Sequence, residues 1–280
     1  MRSLVTARIL IEAALVVTMM TFATRLVSKP QIFWQPEVVY CVPTDQKLVA
    51  LTFDDGPHPK FTPQILDILD RYHVKATFFM VGKEMVRYPG VVKDVVKRGH
   101  VIGNHTYSHP HDIELDTHAQ VVSELEKCAQ VIEKLTGARA HLFRPPRGLV
   151  DGTVFQAANE NGYRVILWTV CADHHDAPTP QLMAKRVLQH IRPGGIVLIH
   201  DGMNGIRYKD VAATKLIISE LVGQGYKFVT VPELIKARQE YCDRTPSWPR
   251  SGVRGHVGKK GEKGIFTLDL HIPQGFAGKT

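Results

Sequence analysis

The chain reads as an α/β protein built on a mainly parallel sheet, rolled or open. Short apolar runs of the buried-strand type recur along it, among them Leu48-Val49-Ala50-Leu51, Arg164-Val165-Ile166-Leu167-Trp168 and Ile196-Val197-Leu198-Ile199. Between them lie stretches whose apolar residues step by three and four, the period of a helix with one buried face. The alternation of strand and helix runs from Lys47 to about Arg238, which implies parallel pairing through helical crossovers. A chain of 280 residues, 44% of them hydrophobic, can bury the core such a sheet needs.

The elements follow in order. Arg2 and Arg8 precede a mostly apolar stretch, Ile9 to Ala23, interrupted by Glu12. This resembles a secretory signal and falls short of the ~20 residues of a membrane span. Arg25 closes the run without a clear small-residue cleavage site, so residues 1–27 fit a removed signal peptide or an uncleaved signal-anchor. Either places the rest outside the cytoplasm, membrane-anchored or secreted. Residues 28–43 carry Pro30, Pro36 and Pro43 and read as a linker with a lead-in strand near Val38-Val39-Tyr40. After the first core strand, Ile65, Ile68, Leu69 and Tyr72 predict a helix capped by Thr62 and begun by Pro63. Val74 to Met80 reads as a strand, and Val91, Val92, Val95 and Val96 as a helix stopping at Gly99. Val121, Leu125, Cys128, Ile132 and Leu135 define an amphipathic helix ended by Gly137. Leu216, Ile217 and Leu221 give a last helix, and Phe228-Val229 a last strand. The compact domain is thus expected over 44–238, with 239–280 a basic, flexible tail.

The net charge of +8 favours a polyanionic neighbour. No nucleic-acid recognition motif accompanies it, so an anionic cell-wall polymer or phospholipid suits the amino terminus better. Cys41, Cys128, Cys171 and Cys242 lack metal-finger spacing. A Cys41–Cys242 disulfide could tie the domain ends, while Cys128 belongs to a buried helix face.

Chemistry concentrates at Thr52-Phe53-Asp54-Asp55-Gly56-Pro57, where Gly-Pro ends the strand just after two adjacent carboxylates. Like charges so close oppose each other's ionisation, so a cation is expected beside them. Alone, the pair would read as a solvated turn. Fifty residues on, His105 and His109 stand four apart in Asn104-His105-Thr106-Tyr107-Ser108-His109. On a helical turn that spacing puts both imidazoles on one face. With one Asp they make a three-ligand site with open positions, the form of catalytic rather than structural zinc. With 14 histidines in the chain, such a pair alone would carry little.

Together these motifs resemble the polysaccharide deacetylases, the NodB-homology group of the fourth carbohydrate esterase family, over roughly residues 44–238. The resemblance implies a distorted (β/α) barrel with fewer than eight full units. It also implies metal-dependent removal of N-acetyl groups from N-acetylglucosamine residues of peptidoglycan or a chitin-like oligosaccharide. Zinc is the expected metal, with cobalt or another divalent ion as alternatives. By the same resemblance Asp54 is the general base, Asp55, His105 and His109 are the metal ligands, and Arg144 of Phe143-Arg144-Pro145-Pro146-Arg147-Gly148 holds the base. Arg147 departs from an aromatic residue usual in the family. Its backbone N–H remains the implied oxyanion donor, and Pro145 and Arg147 are assigned to substrate contacts. His200 would be the general acid, and Leu198 and Trp168 would line the acetyl-methyl pocket. In Cys171-Ala172-Asp173-His174-His175-Asp176 the residue bracing His200 is Asp173, with Asp176 as alternative. His174 and His175 fit a second metal site or a cleft lining. Two rival activities share this machinery: deacylation of another substrate (an acetyl-xylan ester or a small amide), and carbohydrate binding without turnover.

Overall fold

The computed structural model describes residues 38–172, 177–203 and 207–244. The chain divides into units at residues 1–35 and 36–280. The first, which holds the signal-like stretch, lies outside the described residues, as do Asp173, His174, His175, Asp176 and the tail beyond Arg244. No helix among the described residues is long and apolar enough to cross a membrane.

The strands are β1 (Val38–Val39), β2 (Leu48–Asp54), β3 (Thr77–Met80), β4 (Val101–Asn104), β5 (Leu142–Phe143), β6 (Arg164–Ile166), β7 (Val170–Cys171), β8 (Gly195–His200) and β9 (Lys227–Val229). The helices are α1 (Phe61–Arg71), α2 (Gly82–Arg87), α3 (Pro89–Lys97), α4 (His118–Thr136), α5 (Gly152–Glu160), α6 (Pro180–His190), α7 (Tyr208–Gly223) and α8 (Val231–Arg244). Every ladder is parallel, in the order β1-β6-β5-β4-β3-β2-β8-β7, with β9 also on β2. Two strands share one edge of β2: β9 pairs with Leu48–Ala50 and β3 with Thr52–Asp54. Among the described residues the outer strands β1 and β7 do not pair with each other; past the end of β1 an isolated antiparallel bridge joins Cys41 to Gly195 of β8, and Thr169 Oγ1 donates to the Tyr40 carbonyl. The result is the distorted, incompletely closed (β/α) barrel that the sequence implied.

Alternation along β2 assigns its side chains. Val49, Leu51 and Phe53 pack with the helices in the outer core, whereas Leu48 and Ala50 join Phe79, Leu142, Ile166 and Ile196 in an inner cluster. Val231 and Leu234 of α8 complete that inner cluster, filling the interior with helix side chains. Continuing the inward set of β2 gives Thr52 and Asp54, so period two carries the first carboxylate to the carboxyl-terminal mouth.

Several boundaries differ from expectation. Thr62 does not cap α1; the helix starts at Phe61, and Thr62 Oγ1 instead accepts from His58 N–H and donates to Asp201. Strand β3 begins at Thr77 rather than Val74, because the chain leaves α1 through His73 in the left-handed region (φ 54°). α8 continues past position 238 to Arg244. The α4 helix runs to Thr136, with Gly137 left-handed (φ 74°) at its end and a Thr117–Gln120 capping box at its start. Cys41, one end of the expected disulfide, is a free thiol, and the side chain of Cys242 lies outside the described residues.

Candidate active site

The mouth of the barrel gathers the chemistry-bearing residues from the ends of β2, β4, β5, β6 and β8. Asp54 ends β2, and Asp55 follows it in the left-handed region (φ 73°). That twist turns the two carboxylates apart, although they are adjacent in sequence. In the ladder Asp54 pairs with His200 at the end of β8.

His105 and His109 do not lie on a helix, contrary to the expected helical turn. They follow β4 on a loop in which Thr106 and His109 are both left-handed (φ 66° and 56°). Side-chain hydrogen bonds from the end of β4, the loop itself and α4 replace helical bonding here. Asn104 Oδ1 accepts from Thr106 N–H at 2.8 Å, Thr106 Oγ1 from His109 N–H at 3.1 Å, and Glu124 Oε2 from Ser108 N–H at 2.7 Å. Asn104 is itself fixed by donating to Leu125 O and Tyr163 Oη. Five of the six described non-glycine residues with positive φ, namely Asp55, Thr106, His109, Arg147 and Met203, lie in these mouth segments. Such clustering is characteristic of functional sites, where surrounding contacts hold unfavourable backbone.

The loop brings the expected ligands together. Asp55 Oδ1 lies 3.5 Å from His105 Nε2 and 3.3 Å from His109 Nε2, and one donor atom from each residue falls within 4.8 Å of the others. His105 Nδ1 is 2.6 Å from the Arg144 carbonyl, which can only accept. Nδ1 must therefore carry the hydrogen, which leaves Nε2 as the lone-pair donor facing Asp55 when the ring is neutral. The nitrogen and oxygen donors, the fixed tautomer and the shared focus all fit a divalent ion. Burial disfavours the Asp55 carboxylate, but hydrogen bonds from His105 and His109 and the charge of His200 outweigh it. Its pKa is held well below the usual carboxylate range. Burial likewise opposes protonation of His105, and Asp54 and Asp55 reverse the effect and raise its pKa.

Asp54 stands beside this group without converging on it, with Oδ2 3.8 Å from His105 Nε2. The expected cation is Arg144, which is fully buried. Its Nη1 donates to Asp54 Oδ1 at 2.6 Å and Thr52 Oγ1 at 2.8 Å, Nε to Ile166 O at 3.0 Å, and Nη2 to Leu167 O at 2.9 Å. Its guanidinium lies 4.1 Å from the Phe79 ring centroid. Burial pulls the Arg144 pKa down against Asp54, yet a guanidinium starts so high that it stays charged.

The residues assigned to substrate divide. Leu198 is buried, in register with Thr52 and Cys171. Trp168 packs against Gly148, where an added Cβ would sit 2.6 Å from the ring, and lies 5.7 Å from the Arg144 guanidinium. Pro145 is buried and extended. Arg147 is exposed and turns towards another loop, donating to Asp112 Oδ1 and the His111 carbonyl.

Sequence reasoning missed three residues. Thr52 bridges Arg144 to the Val197 carbonyl; its place two before Asp54, on the same strand face, was the available signal. Asp201 is fully buried, and burial, helped by Asp55 and Asp54, raises its pKa to about 7 against the Thr62 hydrogen bond. Arg207 reaches Asp55 from the start of α7. No local pattern announces it.

A half-closed parallel barrel with an Asp-His-His group and a second, arginine-held carboxylate at its mouth defines a class of hydrolytic site. The polysaccharide deacetylase family profile matches residues 42–166. The chain is 41% identical over 201 residues to a peptidoglycan-N-acetylglucosamine deacetylase of Bacillus cereus, covering 71% of this chain and 93% of that protein. Its fold matches the crystal structure of a peptidoglycan N-acetylglucosamine deacetylase with a TM-score of 0.68 and 33% identity, covering 71% and 92% of the two chains. It also matches a CE4 family pseudoenzyme from Bacillus anthracis with a TM-score of 0.67 and 30% identity, covering 72% and 69%. The chain belongs to the polysaccharide deacetylase family.

Proposed function

We propose that this chain is a metal-dependent deacetylase that hydrolyses the N-acetyl groups of N-acetylglucosamine residues in peptidoglycan or a chitin-like oligosaccharide. The observation that carries the reading is the division of labour between neighbouring carboxylates. Asp55 converges with two imidazoles, while Asp54 is held aside by Arg144. A divalent ion held by Asp55, His105 and His109, zinc by its nitrogen and oxygen donors with cobalt as the alternative, would polarise the acetamide carbonyl and acidify water. Asp54 takes the proton of the attacking water, and Arg144 fixes its orientation throughout. The Arg147 N–H is the oxyanion donor, a task for backbone that tolerates the unusual side chain. His200, beside Asp54 at the end of β8, donates a proton to the departing amine. Leu198 and Trp168 offer the apolar contact for the acetyl methyl, and Pro145 and Arg147 border the glycan. Asp173 remains the residue assigned to brace His200.

Acid–base assistance of this kind contributes about 10²- to 10⁴-fold. Electrostatic stabilisation at the carbonyl oxygen has to supply much of the rest. A family that includes a pseudoenzyme makes binding without turnover a real alternative; the retained base, its arginine, the ligand group and the acid favour turnover here. The similar Bacillus cereus protein supports peptidoglycan as substrate. Action on peptidoglycan places residues 44–238 outside the cytoplasm as the catalytic domain, with residues 1–27 as signal or anchor. The positive net charge suits an anionic wall polymer. The test is acetate release, with mass analysis of the glycan, from peptidoglycan, chitooligosaccharides and acetyl-xylan incubated with zinc-loaded protein. Release from the first two supports the reading, release from acetyl-xylan alone redirects it to esters, and no release from any rejects it.

A further inference from the structure

We infer that Arg207 is a positioning residue that holds the metal ligand Asp55 in one-oxygen ligation. The inference rests on the metal reading above. Of the Asp55 carboxylate, Oδ1 faces the Nε2 atoms of His105 and His109. Oδ2 points the other way and accepts from Arg207 Nη2 at 3.1 Å. The arginine is anchored on its own account: it is buried, its Nε donates to the Gly202 carbonyl at 2.9 Å, and its Nη1 lies 3.9 Å from Asp210 Oδ2.

A carboxylate without such a partner could rotate, or present both oxygens to an ion. A guanidinium fixes the carboxylate plane, because its donors are set in a rigid fork. One arm of that fork reaches Asp55 and another grips the loop after His200, so the ligand and the segment carrying the proposed acid share a single strut. Partners that hydrogen-bond a ligating carboxylate typically change metal affinity by about 10- to 100-fold when removed. The geometry therefore assigns Arg207 to metal retention and coordination number rather than to contact with substrate.

The test titrates the apo form of the full chain with cobalt chloride, reading affinity by chelator competition and coordination by the visible absorption of bound cobalt. Arg207→Met is expected to bind cobalt about 10- to 100-fold more weakly, with an altered band shape. Arg207→Lys keeps the charge, but one ammonium cannot span both Gly202 O and Asp55 Oδ2. A several-fold loss with an altered band is expected for it too, and it carries the test if the methionine variant does not fold. Parental affinity and spectrum in a folded variant would reduce Arg207 to a loop tie and overturn the inference. A parent that takes up no cobalt would overturn the metal reading with it, which separates the two failures.

Discussion

Removing the strut beneath the proposed base is the sharpest perturbation of the catalytic geometry. Arg144→Met keeps much of the side-chain volume but deletes four hydrogen bonds, to Asp54 Oδ1, Thr52 Oγ1, Ile166 O and Leu167 O. It also leaves the Asp54 carboxylate buried without its cation. Breaking such a pair from one side costs about 3–5 kcal/mol, and losing the contact with the Phe79 ring adds to this. For a domain of this size the expected fall in melting temperature is about 10 °C. A base displaced by even ~1 Å costs about 10²-fold in rate. Denaturant unfolding and acetate release measure the two effects. Asp54→Asn separates the pair term from lost packing, because an amide oxygen can still accept from Arg144 without being a buried charge. In a double-mutant cycle the two changes should couple by about 1–3 kcal/mol. Zero coupling, or a methionine variant within ~1 kcal/mol and tenfold of the parent, would refute the strut.

Two further outcomes follow from packing and protonation. Gly202→Ala would place a Cβ 1.9 Å from the Asp55 carbonyl oxygen, where backbone cannot give way. A loss of about 3 kcal/mol and weaker metal uptake are expected, while Gly152→Ala, with nothing within 4 Å, should stay near parental in thermal melts. Away from the site, burial lowers the His100 pKa to about 4, reinforced by Lys75 and Arg98 and opposed by Asp70 and Asp94. The unfolded chain protonates this ring near 6.5, so the folded state binds fewer protons between those values. Stability is fully present above pH 6.5 and falls as pH drops towards 4, by about 2 kcal/mol after allowance for screening. His100→Asn, which can still accept from Ala76 N–H as Nδ1 does, should flatten that slope in pH-dependent unfolding. An unchanged slope would assign it elsewhere.

Much of the site was legible because strand periodicity and short motifs are local. The apolar run Leu48–Leu51 and the Gly56-Pro57 break put the paired carboxylates at a strand end, the His-x-x-x-His spacing proposed two ligands, and the family resemblance chose Asp55 as the third. The conformation carrying that group was not legible. A four-residue spacing suggests a helix, but Asn104 and Thr106 bond the loop into left-handed turns that no hydrophobic period encodes. Strands Leu142–Phe143 and Val170–Cys171 span two residues each, too short to show alternation. Arg207 meets Asp55 only through tertiary folding, across most of the chain's length.

The proposed function depends on Asp55, and not its neighbour Asp54, converging with His105 and His109 on a divalent ion. Metal content and zinc affinity of the purified parent, Asp54→Asn and Asp55→Asn test it most directly. The expected result is one zinc per chain in the parent and in Asp54→Asn, with turnover lost in the latter, and sharply weakened uptake in Asp55→Asn. Equal zinc affinity in the two variants would contradict it.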